Sequence, residues 1–325
     1  MNRREMIAAL GGAAAWPLAA RAQQPAMPVV GFVSNSAPDA GRVAAFRKGL
    51  GEAGTVEGQN VTVEYHWLSG QFDRLPSLMA DLVRRRVAAI ATPASNIAAL
   101  AAKAATTTIP IVFGVGEDPV KLGLVASLAR PGANATGINF FAQETTAKRL
   151  GLLHDLVPKA LRIVVLVNPA NAPTAEATLR DIPEAARAIG LQIQFLNAST
   201  GREIEAAFAT LVRDQADALF VGSDGFFVGR RVQLATLATY YRIPAAHPAR
   251  ESVEVGGLMS YSADAADSFR QVGVYAGKIL NGAKPAEMPV TQSTKFEFVI
   301  NLQTARAIGL TIPSSMQALA DKLIE

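Results

Sequence analysis

Cysteine is absent from this 325-residue chain, histidine occurs three times, and aromatic residues make up only 6%. Without cysteine there is no disulfide, no thiolate metal site, no thiol nucleophile and no lipobox for a lipid anchor. His66, His154 and His247 fall in no metal-ligand spacing such as HExxH. A GxSxG elbow and a P-loop lysine motif are both missing, and Gly114-x-Gly116 lacks the third glycine of a dinucleotide fingerprint. Glu117 and Asp118 are neighbours, but adjacency alone does not arrange two carboxylates for acid–base work. The chain therefore reads as neither an enzyme nor a carrier of a metal or cofactor.

Charge is also sparse: 18% of residues are charged and the net charge is +4. Residues 1–22 hold three arginines and one glutamate, so the remainder carries +2 and makes no case for nucleic acid. The densest basic run, Arg84-Arg85-Arg86, closes an amphipathic segment, where positive charge complements a helix dipole.

What is present begins with an export address. Arg3-Arg4 precede the apolar stretch Met6 to Leu18, and Ala20-Arg21-Ala22 offers a small-x-small cleavage site. That order is the pattern of a secretory signal peptide, twin-arginine-like or Sec-type. The stretch is too short and too rich in glycine and alanine for a membrane span. The expectation is a soluble periplasmic protein of 303 residues without stable membrane insertion, long enough for two domains.

The rest alternates strand, loop and helix. Pro28 to Val33, 61–67, 88–91 and 109–113 read as strands, separated by helices at 41–53, 75–86 and 97–105. After a break near 139–145 the grammar restarts, with strands at 161–167, 191–196, 218–221 and 243–246 and helices at 178–189, 203–214 and 230–241. A return segment follows, with a helix at 267–280, a Pro/Gly-marked turn, a strand at 295–300 and a last helix from Gln303. The fold class is α/β, two doubly wound parallel-sheet domains crossed more than once by the chain.

Ligands of open parallel sheets bind outside the carboxyl ends of the strands. The polar residues there are Ser34, Asn35, Thr92, Ser95, Asn96, Glu117 and Asp118 in the first half, with Asn168, Asn171, Ser223 and Asp224 in the second. Each could equally be an ordinary helix cap. As a set they form two faces able to desolvate a small polar solute. Asp118 and Asp224 could pair with an amino group, and Asp118 could instead cap the segment 119–128. Trp67, Phe226, Phe227 and Tyr261 could stack on an apolar part of a ligand or serve the core.

Four stretches occur in a telling order: Ala91-Thr92-Pro93-Ala94-Ser95, Ile109 to Phe113, Glu117-Asp118-Pro119-Val120, and Arg130-Pro131-Gly132-Ala133-Asn134-Ala135-Thr136-Gly137. With Asn168-Pro169 and Gly222-Ser223-Asp224 they resemble the substrate-binding family of ABC transporters that includes tryptophan and tyrosine receptors. The resemblance implies a type I periplasmic-binding-protein fold, hinged by three crossovers and closing over a solute. It places Thr92, Ser95 and Asp118 on one wall, and Asn168, Ser223 and Asp224 on the other. It implies a monomer serving an ABC permease and its ATPase, with an amino acid, aromatic ones first, or a related carboxylate as solute. A sugar or nucleoside receptor and an exported enzyme on the same fold are the alternatives. One lobe is expected at 28–140 plus about 262–287, the other at 141–261 plus about 288–325.

Overall fold

The computed structural model describes residues 27–140 and 142–325, with Ala142 and Gln143 as backbone only. The expected export signal at 1–22 lies outside the described residues. Two sheets organise the chain. The first has six strands: β1 (Val29–Ser34), β2 (Thr62–Trp67), β3 (Ala89–Thr92), β4 (Ile111–Val115), β5 (Ala135–Asn139) and β11 (Thr291–Gln292). Their order is β11-β5-β4-β3-β1-β2, and every pair is parallel.

The second sheet has seven strands: β6 (Arg162–Val167), β7 (Gln192–Asn197), β8 (Ala218–Val221), β9 (Ala245–His247), β10 (Met259–Ala263), β12 (Phe296–Asn301) and β13 (Lys322–Ile324). Their order is β13-β12-β10-β9-β8-β6-β7, parallel except where β12 runs against β10. Apolar runs such as Ile163–Val167 are buried on both faces of the sheet, as helices on either side require.

In the first lobe, helices α1 (Ala40–Glu52), α2 (Leu75–Arg84) and α3 (Asn96–Ala105) connect successive strands. Asp39 caps α1 by accepting from the Arg42 N–H, and Phe46 and Leu50 enter the core. The second lobe carries α4 (Ala142–Leu156), α5 (Ala172–Ala188), α6 (Gly201–Arg213), α7 (Gly225–Gly229), α8 (Arg231–Tyr240) and α9 (Arg250–Glu254). The short helices α11 (Leu302–Ala307) and α12 (Ser314–Leu319) close it.

Helix α10 (Ala265–Leu280) follows β10 of the second sheet but packs on α1 of the first lobe. Gly49 and Gly273 let the two backbones meet: a Cβ on Gly49 would lie 1.8 Å from the Arg270 carbonyl oxygen, and one on Gly273 2.1 Å from that of Phe46. The chain thus changes lobes three times, between β5 and α4, between β10 and α10, and between β11 and β12. Thr291 and Gln292 pair with Ile138 and Asn139, so the final return comes after Gln292 rather than near 288. Likewise β10 stays in the second sheet to Ala263, because Ser262 and Ala263 pair with Glu297 and Phe296.

Candidate functional site: a cleft between the lobes

A cavity of about 400 Å³ lies between the lobes, lined from the first by Asn35, Asn96, Glu117, Phe140 and Phe269, and from the second by Arg149, Asn171, Ser223, Asp224 and Val228. A second space of about 600 Å³ adjoins it, sharing Gly116, Glu117, Thr174 and Ser223. The lobes touch around this region. Arg42 Nη2 donates to Glu251 Oε1 at 2.9 Å, and Asn96 Nδ2 donates to Thr174 Oγ1 at 3.3 Å. Gly225 faces the Asn35–Ser36 backbone so closely that a Cβ would sit 3.1 Å from the nearest atom.

The second-lobe wall is dominated by Arg149. Helix α4 buries Leu150, Leu153 and Leu156 against the sheet, and Arg149 is buried with them, 1% exposed. Its guanidinium lies over Phe220 at 4.4 Å, and Nη2 donates to the Val221 carbonyl at 3.2 Å and to Ser223 Oγ at 3.4 Å. Nε has no partner, and no carboxylate lies within ion-pair range among the described residues. Burial pushes its pKa down to about 9. A guanidinium so placed is an uncompensated buried cation, a costly arrangement unless an anion arrives.

Glu117 stands on the opposing wall. Two asparagines fix its loop: Asn96 Oδ1 accepts from the Gly116 N–H at 3.2 Å, and Asn139 Nδ2 donates to the Glu117 carbonyl at 2.7 Å. The residue as a whole is half-buried, yet its Oε2 is out of contact with solvent and has no hydrogen-bond partner. Burial pushes the carboxyl up to about 7, opposed by its own backbone N–H; Asp181 across the cleft pushes it up further and Arg180 lowers it.

Each of the remaining charges lining the cavity is ion-paired or hydrogen-bonded within the protein, although Arg42 Nε is also without a partner. Arg42 pairs with Glu251, and Arg250 pairs with Glu254 at 2.8 Å and Glu297 at 2.6 Å. Asp264 caps α10 by accepting from the Asp267 N–H. Asp224 accepts from Asn168 Nδ2 at 2.9 Å, Asn171 Nδ2 at 2.6 Å and the Phe226 N–H at 2.8 Å. Burial raises its pKa against the pull of those three donors. Asp224 is thus the N-cap of α7 and the tie between two loops, with three of its roughly four acceptor sites taken by the protein's own donors. Asp224→Ala is expected to lower unfolding free energy by about 1–3 kcal/mol, read from urea melts, because two buried amides lose their acceptor.

The other residues expected from sequence divide cleanly. Asn35, Asn96, Glu117, Asn171, Ser223 and Asp224 line the cavity, and Asn35 Oδ1 and Asn171 Oδ1 are buried acceptors without partners. Asp118 is exposed and borders the adjoining space, where its Oδ1 caps the turn at Val120 and Lys121. Ser95 caps α3, Ser34 bonds to Ser36, Asn168 bonds to Asp224, and Thr92 is fully buried in its sheet; none of the four lines the cavity. Phe227 is core, 1% exposed beside Phe226, because a short helix turns it under the sheet. Tyr261 stacks on Phe296 at 6.1 Å and also stays off the cavity. The aromatic walls are Phe140 and Phe269 instead.

His247 is wholly buried at the end of β9, and burial with the nearby Arg149 charge pushes its pKa down to about 4. It is neutral at neutral pH, so it adds no competing cation. Among the described residues no group of three His, Asp or Glu could hold a metal, and no helix is long and apolar enough to cross a membrane.

The chain and its two opposed α/β lobes resemble known proteins. The tyrosine-binding protein of Clostridioides difficile is 28% identical over 268 residues, covering 82% of this chain and 75% of that one. A conserved domain protein of Vibrio cholerae superposes with a TM-score of 0.81 at 25% identity, over 91% and 99% of the two chains. A Streptococcus pneumoniae ABC domain in complex with L-Trp superposes with a TM-score of 0.79 at 24% identity, over 92% and 100%, a likeness of fold. The family model for ABC transporter substrate binding proteins matches residues 26–324, and the chain belongs to that family.

Proposed function

We propose that this protein captures a zwitterionic amino acid with an uncharged side chain, aromatic ones foremost, and presents it to an ABC permease driven by its ATPase. The observation that carries this reading is the pair of unpartnered charges on opposite walls of one cavity, Arg149 and Glu117. A solute carboxylate at Arg149 and an ammonium at Glu117 would neutralise both, and each bond would span solute and one lobe. Only a shut cleft makes both bonds at once, which is how a ligand favours closure. Because every other charge lining the cavity is ion-paired or held by the protein's own hydrogen-bond donors, a lysine-, arginine- or glutamate-like side chain would compete with those contacts for a partner. Phe140, Phe269, Val228 and several alanines offer apolar contact instead, in a volume within the usual range for small-molecule sites.

The relatives support the same class, one being a tyrosine-binding protein and another a complex with L-Trp. A sugar or nucleoside would leave both charges buried and uncompensated. The reading holds a monomer exported to the periplasm, where the solute is held and released without a catalytic step.

A thermal-shift screen of the protein lacking residues 1–22 tests this against L-amino acids, sugars and nucleosides. A saturating ligand raises stability by about 2.7 kcal/mol at a hundredfold excess over Kd. The expected outcome is a rise in Tm with neutral L-amino acids, largest for tyrosine or tryptophan, and none with arginine, glutamate or ribose. A rise confined to sugars or nucleosides would overturn the assignment.

A further inference from the structure

Most ion pairs near the cleft join residues of a single lobe. Arg250 pairs with Glu254 and Glu297 wholly within the second. Arg42 and Glu251 differ. Arg42 stands on α1 of the first lobe and Glu251 on α9 of the second, with Nη2 and Oε1 2.9 Å apart. Neither has another ion-pair partner among the described residues.

Arg42 is held firmly on its own side. It is 9% exposed, and its guanidinium lies over Phe269 at 5.5 Å, a ring that packs in turn against Phe32. Glu251 sits on a helix that packs against β10 and β12 of the second sheet. A hinge movement at the three crossings would carry the two ends apart as rigid bodies. Water then fills the gap and weakens their attraction several-fold.

From this geometry we propose that Arg42 and Glu251 form a clasp made only when the lobes shut, a positioning pair that sets how long the solute stays rather than which solute enters. The clasp rests on the reading of the cleft as a closing solute site, but not on the identity of the solute. Both residues line the cavity wall at its Ala249–Glu254 side, so the clasp also bars water from that side. Opposite charge is the part of the contact that an exchange of the two residues keeps, while the stacking of Arg42 on Phe269 is lost. Arg42→Glu or Glu251→Arg sets like charges against each other, and the double variant restores opposite charges.

The test is this charge-swap cycle, read two ways, with thermal melts as a control for folding. Stopped-flow binding of the amino acid found in the screen is expected to give a dissociation rate about tenfold faster for each single variant, equal to 1.4 kcal/mol. Association should not slow, because an empty protein that opens more readily admits the solute at least as fast. The double variant should return to within about threefold of the parent. Small-angle scattering without any solute is the second reading. Each single variant should have a larger radius of gyration than the parent, and the double variant should regain the parent value. If no amino acid binds the parent, the solute assignment fails while scattering still decides the clasp. Parent-like dissociation and scattering in both single variants, or a double variant as impaired as either, would overturn it.

Discussion

Arg149→Met is expected to weaken amino-acid binding by at least about a hundredfold while leaving the protein as stable as the parent or more so. The two effects have one origin. In the parent the guanidinium is wholly buried, stacked on Phe220, with Nε unpartnered and no carboxylate in reach among the described residues. Its burial opposes folding, as the pKa pushed down to about 9 reports. Methionine fills most of that volume without a charge, and replacing a buried ion by an apolar side chain is often neutral or stabilising by about 1–4 kcal/mol. The bound state suffers the reverse. Removing one partner of a buried, charge-assisted hydrogen bond leaves the solute carboxylate unpaired, a loss of about 3–5 kcal/mol. Titration calorimetry beside thermal melting checks both halves. A variant that binds normally removes Arg149 from the site; a variant that binds weakly because it has unfolded makes Arg149 structural.

Affinity is expected to fall about tenfold for each pH unit below 7, so that binding at about pH 5 is roughly a hundredfold weaker than at the plateau. Glu117 is the cause. Without solute its carboxyl titrates near 7, whereas an ammonium beside it needs the ionised form. Lowering the pH from about 8 protonates Glu117, and the solute must then displace that proton. The solute's own carboxyl and ammonium do not titrate across this window.

Stability should run the other way. A carboxyl whose folded pKa lies above its unfolded value binds more protons in the folded state between those values. Unfolding free energy of the empty protein therefore declines as pH rises from the ordinary glutamate range towards 7. Glu117→Gln should flatten both slopes, giving weak binding with little pH dependence and an empty protein less sensitive to alkali. Calorimetry at several pH values, in buffers of different ionisation enthalpy, would also detect proton release on binding. Affinity constant from about pH 5 to 8 would contradict the role given to Glu117.

The α/β grammar was legible in the sequence because apolar runs of four to six residues alternate with amphipathic helices, and most elements fall within a few residues of their expected places. The strand Ala135–Asn139 was not. Its sequence, Ala-Thr-Gly-Ile-Asn, carries little strand propensity, and Gly137 is there because a Cβ would lie 2.0 Å from the Phe113 carbonyl oxygen. Tertiary packing makes it a strand. At the site, chain position revealed Asn35, Asn96, Glu117, Asn171 and Ser223, since strand ends in open sheets converge on the cleft.

The acidic residues were harder to sort. Asp118 and Asp224 look equivalent to Glu117 in sequence, and only the donors around each separate two caps from one unpartnered carboxylate. Arg149 went unseen because it lies between the break expected near 139–145 and the strand expected from 161, in a stretch assigned to no element, where the structure has helix Ala142–Leu156. A signal was nonetheless present: one arginine on the face of a helix that otherwise buries Leu150, Leu153 and Leu156. A charge on an apolar stripe is the kind of local conflict that marks function.

The central claim is that one solute bridges Arg149 and Glu117, and a set of three ligands tests it most directly. Calorimetry on the parent protein would compare the best-binding L-amino acid with its decarboxylated amine and its deaminated acid, which share one side chain. Loss of either charged group leaves a buried side chain unpaired, so both analogues should bind at least about a hundredfold more weakly than the amino acid. If either analogue binds as tightly as the amino acid, the cleft does not hold a zwitterion between these two residues.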